Sequence, residues 1–214
     1  MITTHLCDFK IGNCFNVERA FKRVGAKVIV CSSGEKIKGA KVIVVPGVGA
    51  FSQCMDNFTN NGFADELLKA VDEGAWVLGI CVGMQMLADS SEEFGNHPGL
   101  KLISGNVKKI GDKKLVGPKF KLPHVGWSRL QTSNNLNRNL GNQIFKESDT
   151  FYFVHSYNFE TLDPDNTIAT TVYENNTITA AVRQERVFGV QFHPEMSGNS
   201  GIRFIRDFLE LTKA

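Results

Sequence analysis

The stretch that decides the fold is Trp76-Val77-Leu78-Gly79-Ile80-Cys81-Val82-Gly83-Met84-Gln85-Met86-Leu87. An apolar run reaches a Gly-x-Cys-x-Gly turn, and apolar residues at helical spacing follow at once. This predicts a strand over Trp76–Ile80 and a helix over Val82–Asp89. A strand stopped abruptly against a helix start holds one side chain out into a cleft. The turn crowds the backbone, so its neighbours must be small, and glycine tolerates both strained dihedrals and close approach. With cysteine at the tip, the available chemistry is thiolate attack, which needs a base elsewhere in the chain. Alone, the turn also fits a buried structural cysteine beside a packing glycine.

Upstream, short apolar runs alternate with helical patterns. Val28-Ile29-Val30 reads as a strand, preceded by a helix whose apolar face is Val17, Ala20, Phe21 and Val24, with Gly25 at its C-terminal cap. Val42-Ile43-Val44-Val45 reads as a strand buried on both faces, because it is almost entirely β-branched. It ends at Pro46-Gly47-Val48-Gly49, before a helix over about 51–72 with a break near Asn60-Asn61-Gly62. Strands alternating with helices imply a parallel sheet covered on both faces.

Downstream the pattern changes. Phe151–Val154, Ile168–Val172, Thr179–Arg183 and Val187–Phe192 are short runs separated by turns, as expected of antiparallel or mixed strands completing the same sheet. Residues 131–142, rich in Asn and Ser, read as an exposed loop, and Lys108–Lys114 as a solvated hairpin. A last amphipathic helix over about 200–212 carries Ile202, Phe204, Ile205, Phe208 and Leu209 on one face. The expected architecture is a single α/β domain over 1–214: a central, mostly parallel sheet flanked by helices, with added antiparallel strands.

Bulk properties narrow the classes. A chain of 214 residues with 42% hydrophobic content can bury one sizeable core. Its net charge of +2 gives no support for a nucleic-acid or membrane-surface role. The five cysteines (Cys7, Cys14, Cys31, Cys54, Cys81) are odd in number and form no Cys-x-x-Cys pair. We therefore expect no disulfide framework, no metal site, and a reducing, cytoplasmic setting. Cys7, Cys14, Cys31 and Cys54 read as packing residues, and His5 and His97 as solvent-exposed.

A second motif bears on Cys81. Phe188-Gly189-Val190-Gln191-Phe192 runs strand-like into His193-Pro194-Glu195. A histidine just past a buried strand lies at the sheet edge where ligands bind in open α/β sheets. Glu195 can fold back on the imidazole, so His193 reads as a base and Glu195 as its orienter, completing a Cys-His-Glu triad. A third element, Pro46-Gly47-Val48-Gly49-Ala50-Phe51, also follows a strand. Its backbone N–H groups at Val48 and Gly49 can face a developing oxyanion, as can that of Val82 at the helix start. A phosphate-binding loop is the other reading, although neither Gly-x-Gly-x-x-Gly nor Gly-Lys-Ser/Thr occurs there.

These segments resemble the class I (triad) glutamine amidotransferases, and the resemblance runs the whole length. Pro46–Phe51, Pro123-His124-Val125-Gly126-Trp127 and Phe153-Val154-His155-Ser156-Tyr157 look like the glutaminase subunits of imidazole glycerol phosphate synthases. The resemblance implies that Cys81 attacks the glutamine side-chain amide and that Gly47, Gly49, Gln85, Ser156 and Tyr157 hold glutamine. It implies no cofactor and no metal. Ammonia would pass to a (β/α)8-barrel synthase partner in histidine biosynthesis, docked near Asn13, Trp127, Tyr152 and Met196. It also implies that the free subunit is nearly inactive, its oxyanion donors misoriented near Val48-Gly49.

The chain departs from that pattern where the partner would dock. Met196 stands where a lysine is usual, Phe9-Lys10 where Tyr-Gly is usual, and Ser128 where Asn is usual. Losing the lysine removes a positive charge and any ion pair it made. A relative that supplies ammonia to another synthase, such as one amidating a surface-polysaccharide sugar, is therefore a second reading. A cysteine peptidase of related fold is a third, and a non-enzymatic scaffold a fourth. His124 and His155 read either as structural histidines or as interface and signalling residues, and Asn13 as a loop cap or an interface contact.

Overall fold

A computed structural model describes residues 1–111, 121–132, 144–146 and 148–213. In chain order the strands are β1 Thr3–Cys7, β2 Lys27–Cys31, β3 Val42–Gly47, β4 Trp76–Cys81, β5 Ser90–Ser91, β6 His97–Pro98 and β7 Gly105–Lys109. They continue as β8 His124–Arg129, β9 Gln131–Thr132, β10 Thr150–His155, β11 Tyr157–Thr161, β12 Thr167–Tyr173, β13 Asn176–Gln184 and β14 Val187–Val190. The helices are α1 Cys14–Arg23, α2 Phe51–Asn60, α3 Phe63–Asp72, α4 Val82–Gln85 and α5 Gly198–Leu211.

The main sheet has eight strands in the order β2-β1-β3-β4-β14-β13-β12-β9. From β2 to β14 neighbouring strands are parallel, and from β14 to β9 they are antiparallel. Every residue of β3 is buried, as its β-branched sequence requires. The expected break between α2 and α3 is real: Gly62 occupies the left-handed region at φ 73°, which glycine enters without penalty. Gly25 does the same past α1 at φ 88°.

Several expectations need correction. Of the expected downstream strands, those over Ile168–Val172, Thr179–Arg183 and Val187–Val190 complete the main sheet as β12, β13 and β14, but the run over Phe151–Val154 does not. β8 and β10 form a separate two-stranded sheet, and β11-β7-β5-β6 form a four-stranded one. Strand β1 carries too little apolar periodicity to be read from sequence; its pairing with β2 and β3 places it in the sheet. The helix expected over Val82–Asp89 ends at Gln85. Beyond it the chain turns out, and the Met86 and Leu87 carbonyls accept from the amides of Leu100, Leu102 and Ile103. Lys108 and Lys109 belong to β7, whose antiparallel partner among the described residues is β11, remote in sequence; the rest of the expected hairpin, residues 112–114, lies outside the described residues, as does most of the expected loop over 131–142. His5 and His97 are half-buried rather than exposed. All five cysteines are free thiols, and among the described residues no helix is long and apolar enough to cross a membrane.

The elbow is closely packed, backbone against backbone. Cys81 sits at φ 56°, ψ −113°, a conformation a side chain rarely adopts. A Cβ on Gly83 would lie 1.9 Å from the Val45 carbonyl oxygen, one on Gly79 2.5 Å from the Gly83 oxygen, and one on Gly47 2.7 Å from the Gly83 nitrogen. The contacts are backbone against backbone, so no side chain can give way. Gly83→Ala is therefore expected to cost about 3 kcal/mol or more in chemical denaturation. Gly25→Ala, with nothing within 4 Å of the added methyl, should cost only about 1–2 kcal/mol, from its dihedral alone. Equal losses would refute the close-packing explanation.

Candidate active site

Three neighbouring parallel strands, β3, β4 and β14, deliver the three sequence motifs to one sheet edge. Gly47 pairs across from Cys81, and Val190 pairs across from Ile80 three residues before His193. The parallel register alone therefore brings Pro46–Gly49, Cys81 and His193 together at the carboxyl ends of the strands. The turn after β14 is tied down independently. The His193 amide donates to the Tyr152 carbonyl (2.9 Å), and the Ser197 hydroxyl donates to the His193 carbonyl (2.6 Å) while accepting from the Tyr152 amide (2.9 Å). Ser197, fully buried, is a support that sequence reading missed.

His193 Nδ1 meets Glu195 Oε1 at 2.8 Å, both side chains almost wholly buried. Burial pulls the imidazolium down. Hydrogen bonding and charge from Cys81 and Glu195 outweigh it and raise His193 to about 10. Nε2 is buried without a hydrogen-bond partner, and Cys81 shares the cavity wall with it. Hydrogen bonds between such groups commonly tighten only when substrate binds. A thiol, an imidazole and a carboxylate in this order form the general arrangement of nucleophile, base and orienter.

The cavity over Cys81 has a volume of about 160 Å³ and is lined by Val48, Gly49, Val82, Gln85, Glu93, His155, Ser156, Tyr157 and His193, among others. It is smaller than the roughly 300–1,000 Å³ of drug-sized sites, a scale that suits one amino acid better than a peptide. A larger groove of about 570 Å³, between Val71–Trp76 and Arg183–Val187, contains no nucleophile. Val82 opens α4, and the first amides of a helix have no partner within it. The Val48 carbonyl accepts from the Cys54 thiol (3.4 Å), which turns it onto α2; in a planar trans peptide the Gly49 N–H then points the opposite way.

Glu93 is a cavity residue that the sequence reading did not single out. It follows β5 in an irregular segment with no motif around it. Its Oε2 accepts from the Phe51 amide at the start of α2 (2.6 Å), which fixes a carboxylate at the cavity wall. Gln85 lies where expected, but both hydrogens of its amide nitrogen are engaged inside the protein, by the Tyr157 carbonyl (3.3 Å) and Gln191 Oε1 (2.9 Å). A ligand would meet Gln85 through its oxygen or its stem.

The expected interface residues separate into two groups. In the β8–β10 pair, Trp127 lies opposite Tyr152 and Val125 opposite Val154. All four face outward, Trp127 being 57% exposed, and the Trp127 and Tyr152 rings meet edge to face at 6.1 Å. Trp127 is thus not a core aromatic. The patch borders the cavity, since the Val154 carbonyl lies 3.9 Å from Cys81 Sγ. Met196, three residues past His193, is also exposed. Asn13 caps α1, its Oδ1 accepting from the Asn16 amide. Among the described residues, no group of three or more His, Cys, Asp or Glu is arranged to hold a metal ion.

Comparison with known proteins agrees with this architecture. The family model for glutamine amidotransferase class-I matches residues 5–211, and the chain belongs to that family. A curated relative named imidazole glycerol phosphate synthase subunit HisH, from Chlorobium chlorochromatii, is 39% identical over 208 residues, covering 96% of this chain and 98% of its own. The protein of that name from Bacillus velezensis is 37% identical over 207 residues, covering 95% and 94%. A crystal structure described as glutamine amidotransferase superposes with a TM-score of 0.74 at 23% identity over both full chains, a likeness of fold.

The raised pKa of His193 has a defined consequence. Relative to the ordinary value of 6.5, the imidazolium stabilises the fold fully below about pH 6.5, and that contribution is lost as pH rises towards 10. Glu195→Gln removes the carboxylate that faces His193 Nδ1. The His193 midpoint, followed by NMR of the imidazole protons, should fall by one pH unit or so. The alkaline loss of thermal stability should begin correspondingly lower. An unchanged midpoint would contradict the electrostatic role of Glu195.

Proposed function

We propose that this chain is the glutaminase subunit of an imidazole glycerol phosphate synthase. The observation that carries the proposal is the placement of Cys81 and the His193–Glu195 pair around a cavity of about 160 Å³. Near full-length relatives named for that subunit support it.

In this reading the Cys81 thiolate attacks the δ-carbonyl carbon of glutamine, forming the C–S bond. The Val48, Gly49 and Val82 amides face the oxyanion. The C–N bond breaks as His193 delivers its proton to the nitrogen, and ammonia leaves. Water, deprotonated by His193, then attacks the thioester and releases glutamate with Cys81 restored. Glu195 holds the imidazole in the required tautomer and stabilises its cation. Glu93 supplies a carboxylate for the α-ammonium group of the substrate, while Ser156 and Tyr157 wall the cavity. The outward apolar face of Val125, Trp127, Tyr152 and Val154 receives the synthase subunit, a (β/α)8 barrel that takes the ammonia. Exposed apolar patches beside a site commonly mark such contacts.

A second reading keeps the chemistry and changes the acceptor. Exposed Met196, an uncharged residue three positions past His193, favours a synthase other than that of histidine biosynthesis, such as one amidating a sugar. One experiment separates them. The chain is copurified with its native partner, and glutamine hydrolysis is assayed with the histidine-pathway acceptor or with sugar acceptors. Stimulation by the former supports the proposal; stimulation only by a sugar supports the second reading. In the same complex Cys81→Ala should lower turnover by about 10⁴-fold or more with the fold intact. Undiminished turnover would overturn both.

A further inference from the structure

Gln191 lies between the cavity and the core, and nothing in the mechanism above uses it. Its side chain is fully buried, with Nε2 3.7 Å from Cys81 Sγ and Oε1 2.9 Å from Gln85 Nε2. We propose that Gln191 is a positioning residue that donates a hydrogen bond to the Cys81 sulfur and holds it as the thiolate, oriented for attack. The inference rests on the reading of Cys81 as the nucleophile.

The orientation of Gln191 follows from a fixed point in the backbone. The Tyr157 carbonyl can only accept, so the Gln85 atom 3.3 Å from it is the amide nitrogen. The same nitrogen meets Gln191 and must donate there, so Gln191 presents its oxygen to Gln85. Its other atom, facing Cys81, is then the nitrogen. A flipped Gln191 would set two NH₂ groups against each other and leave an oxygen against the sulfur. The Tyr157 carbonyl is anchored from the other side too. It accepts from His155 Nδ1 (2.8 Å), which leaves His155 Nε2 to accept from His124 Nδ1 (3.0 Å), and His124 Nε2 to accept from the Ser128 hydroxyl (3.0 Å). This requires neutral imidazoles. Burial lowers His124 to about 4, and burial, followed by its neighbours His124 and His193, lowers His155 to about 3. An unbroken chain of hydrogen bonds thus links Ser128 on β8 to the sulfur of Cys81.

A donor at sulfur favours the charged form over the thiol. The other titratable groups facing Cys81 are His193 with Glu195 behind it, His155 from β10, Tyr157 from β11, whose phenol burial pushes up, Glu93 from the β5 side and Cys54 from α2. Of these only His193 favours the thiolate. Gln191 is the uncharged donor that acts with it and, having no group that titrates, keeps its donor across the pH range of the protein.

The test is the pH dependence of Cys81 alkylation by iodoacetamide, followed by mass spectrometry of the Cys81 peptide in the full-length chain. Gln191→Leu removes the donor. Gln191→Glu keeps the outline and replaces the donor with an acceptor, and it is read where the leucine variant does not fold. Both should raise the alkylation midpoint by about one pH unit, a roughly tenfold slower reaction below it, the size of one hydrogen bond to a charged group. Gln85→Glu, which frees Gln191 to turn, should shift it the same way by less. Lower thermal stability with an unchanged midpoint would show a structural role alone and overturn the proposal. Glutamine turnover by the Cys81→Ala complex separates the two failures. If turnover persists, the reading of Cys81 itself falls. If turnover is lost but both Gln191 variants keep the wild-type midpoint, only the role of Gln191 falls.

Discussion

The structure depends on the contact between the Gly83 backbone and the Val45 carbonyl beneath it. A Cβ at Gly83 would come within 1.9 Å of that oxygen, so only glycine lets α4 begin this close to β3. Because α4 begins there, Cys81 must turn through φ 56° and ψ −113°, which lifts its side chain off the sheet and into the cavity. Gly79 and Gly47 remove the remaining obstacles in β4 and β3. Backbone strain at one residue is sustained by close packing around it, a condition met where the surrounding structure over-determines the conformation.

From that fixed point the parallel register does the rest. β3, β4 and β14 end together, so residues far apart in the chain converge without any long-range device beyond strand pairing. Electrostatics then distinguishes two histidine environments within the same site. His193 has Cys81 and a carboxylate beside it and is raised to about 10, whereas His155 is lowered to about 3 by burial and by the neighbouring His124 and His193. Burial penalises the cation in both; at His193 its partners outweigh that penalty, while at His155 the Tyr157 carbonyl alone opposes it and does not. One imidazole can therefore carry and move a proton while the other serves as a fixed link in a neutral chain.

Much of this was legible in the sequence, for specific reasons. The Gly-x-Cys-x-Gly turn, the β-branched run of β3 and the break at Gly62 all express local rules that hold wherever the segment lies. The glycine cap at Gly25 is of the same kind. What escaped depends on partners distant in sequence. β1 is defined by its neighbours rather than its own pattern, and the helix after Cys81 is cut short by contacts with residues near 100. The separation of β8–β10 from the main sheet is equally a matter of topology. In the site, Cys81, His193 and Glu195 announce themselves through motifs. Glu93 sits in an irregular segment with no surrounding pattern, and Gln191 is hidden inside a motif whose histidine draws the attention. Their significance is visible only once the fold places a carboxylate at the cavity wall and an amide against the sulfur.

The central claim is that Cys81 is the atom to which glutamine becomes covalently attached. The most direct measurement is to mix the partner-bound chain with glutamine, quench in acid within a turnover, and map thioesters by peptide mass spectrometry. The account predicts a glutamyl adduct on the Cys81 peptide, formed and lost at rates that match glutamate release. Glutamate release with no adduct on any cysteine, or an adduct on Cys54 instead, would contradict it.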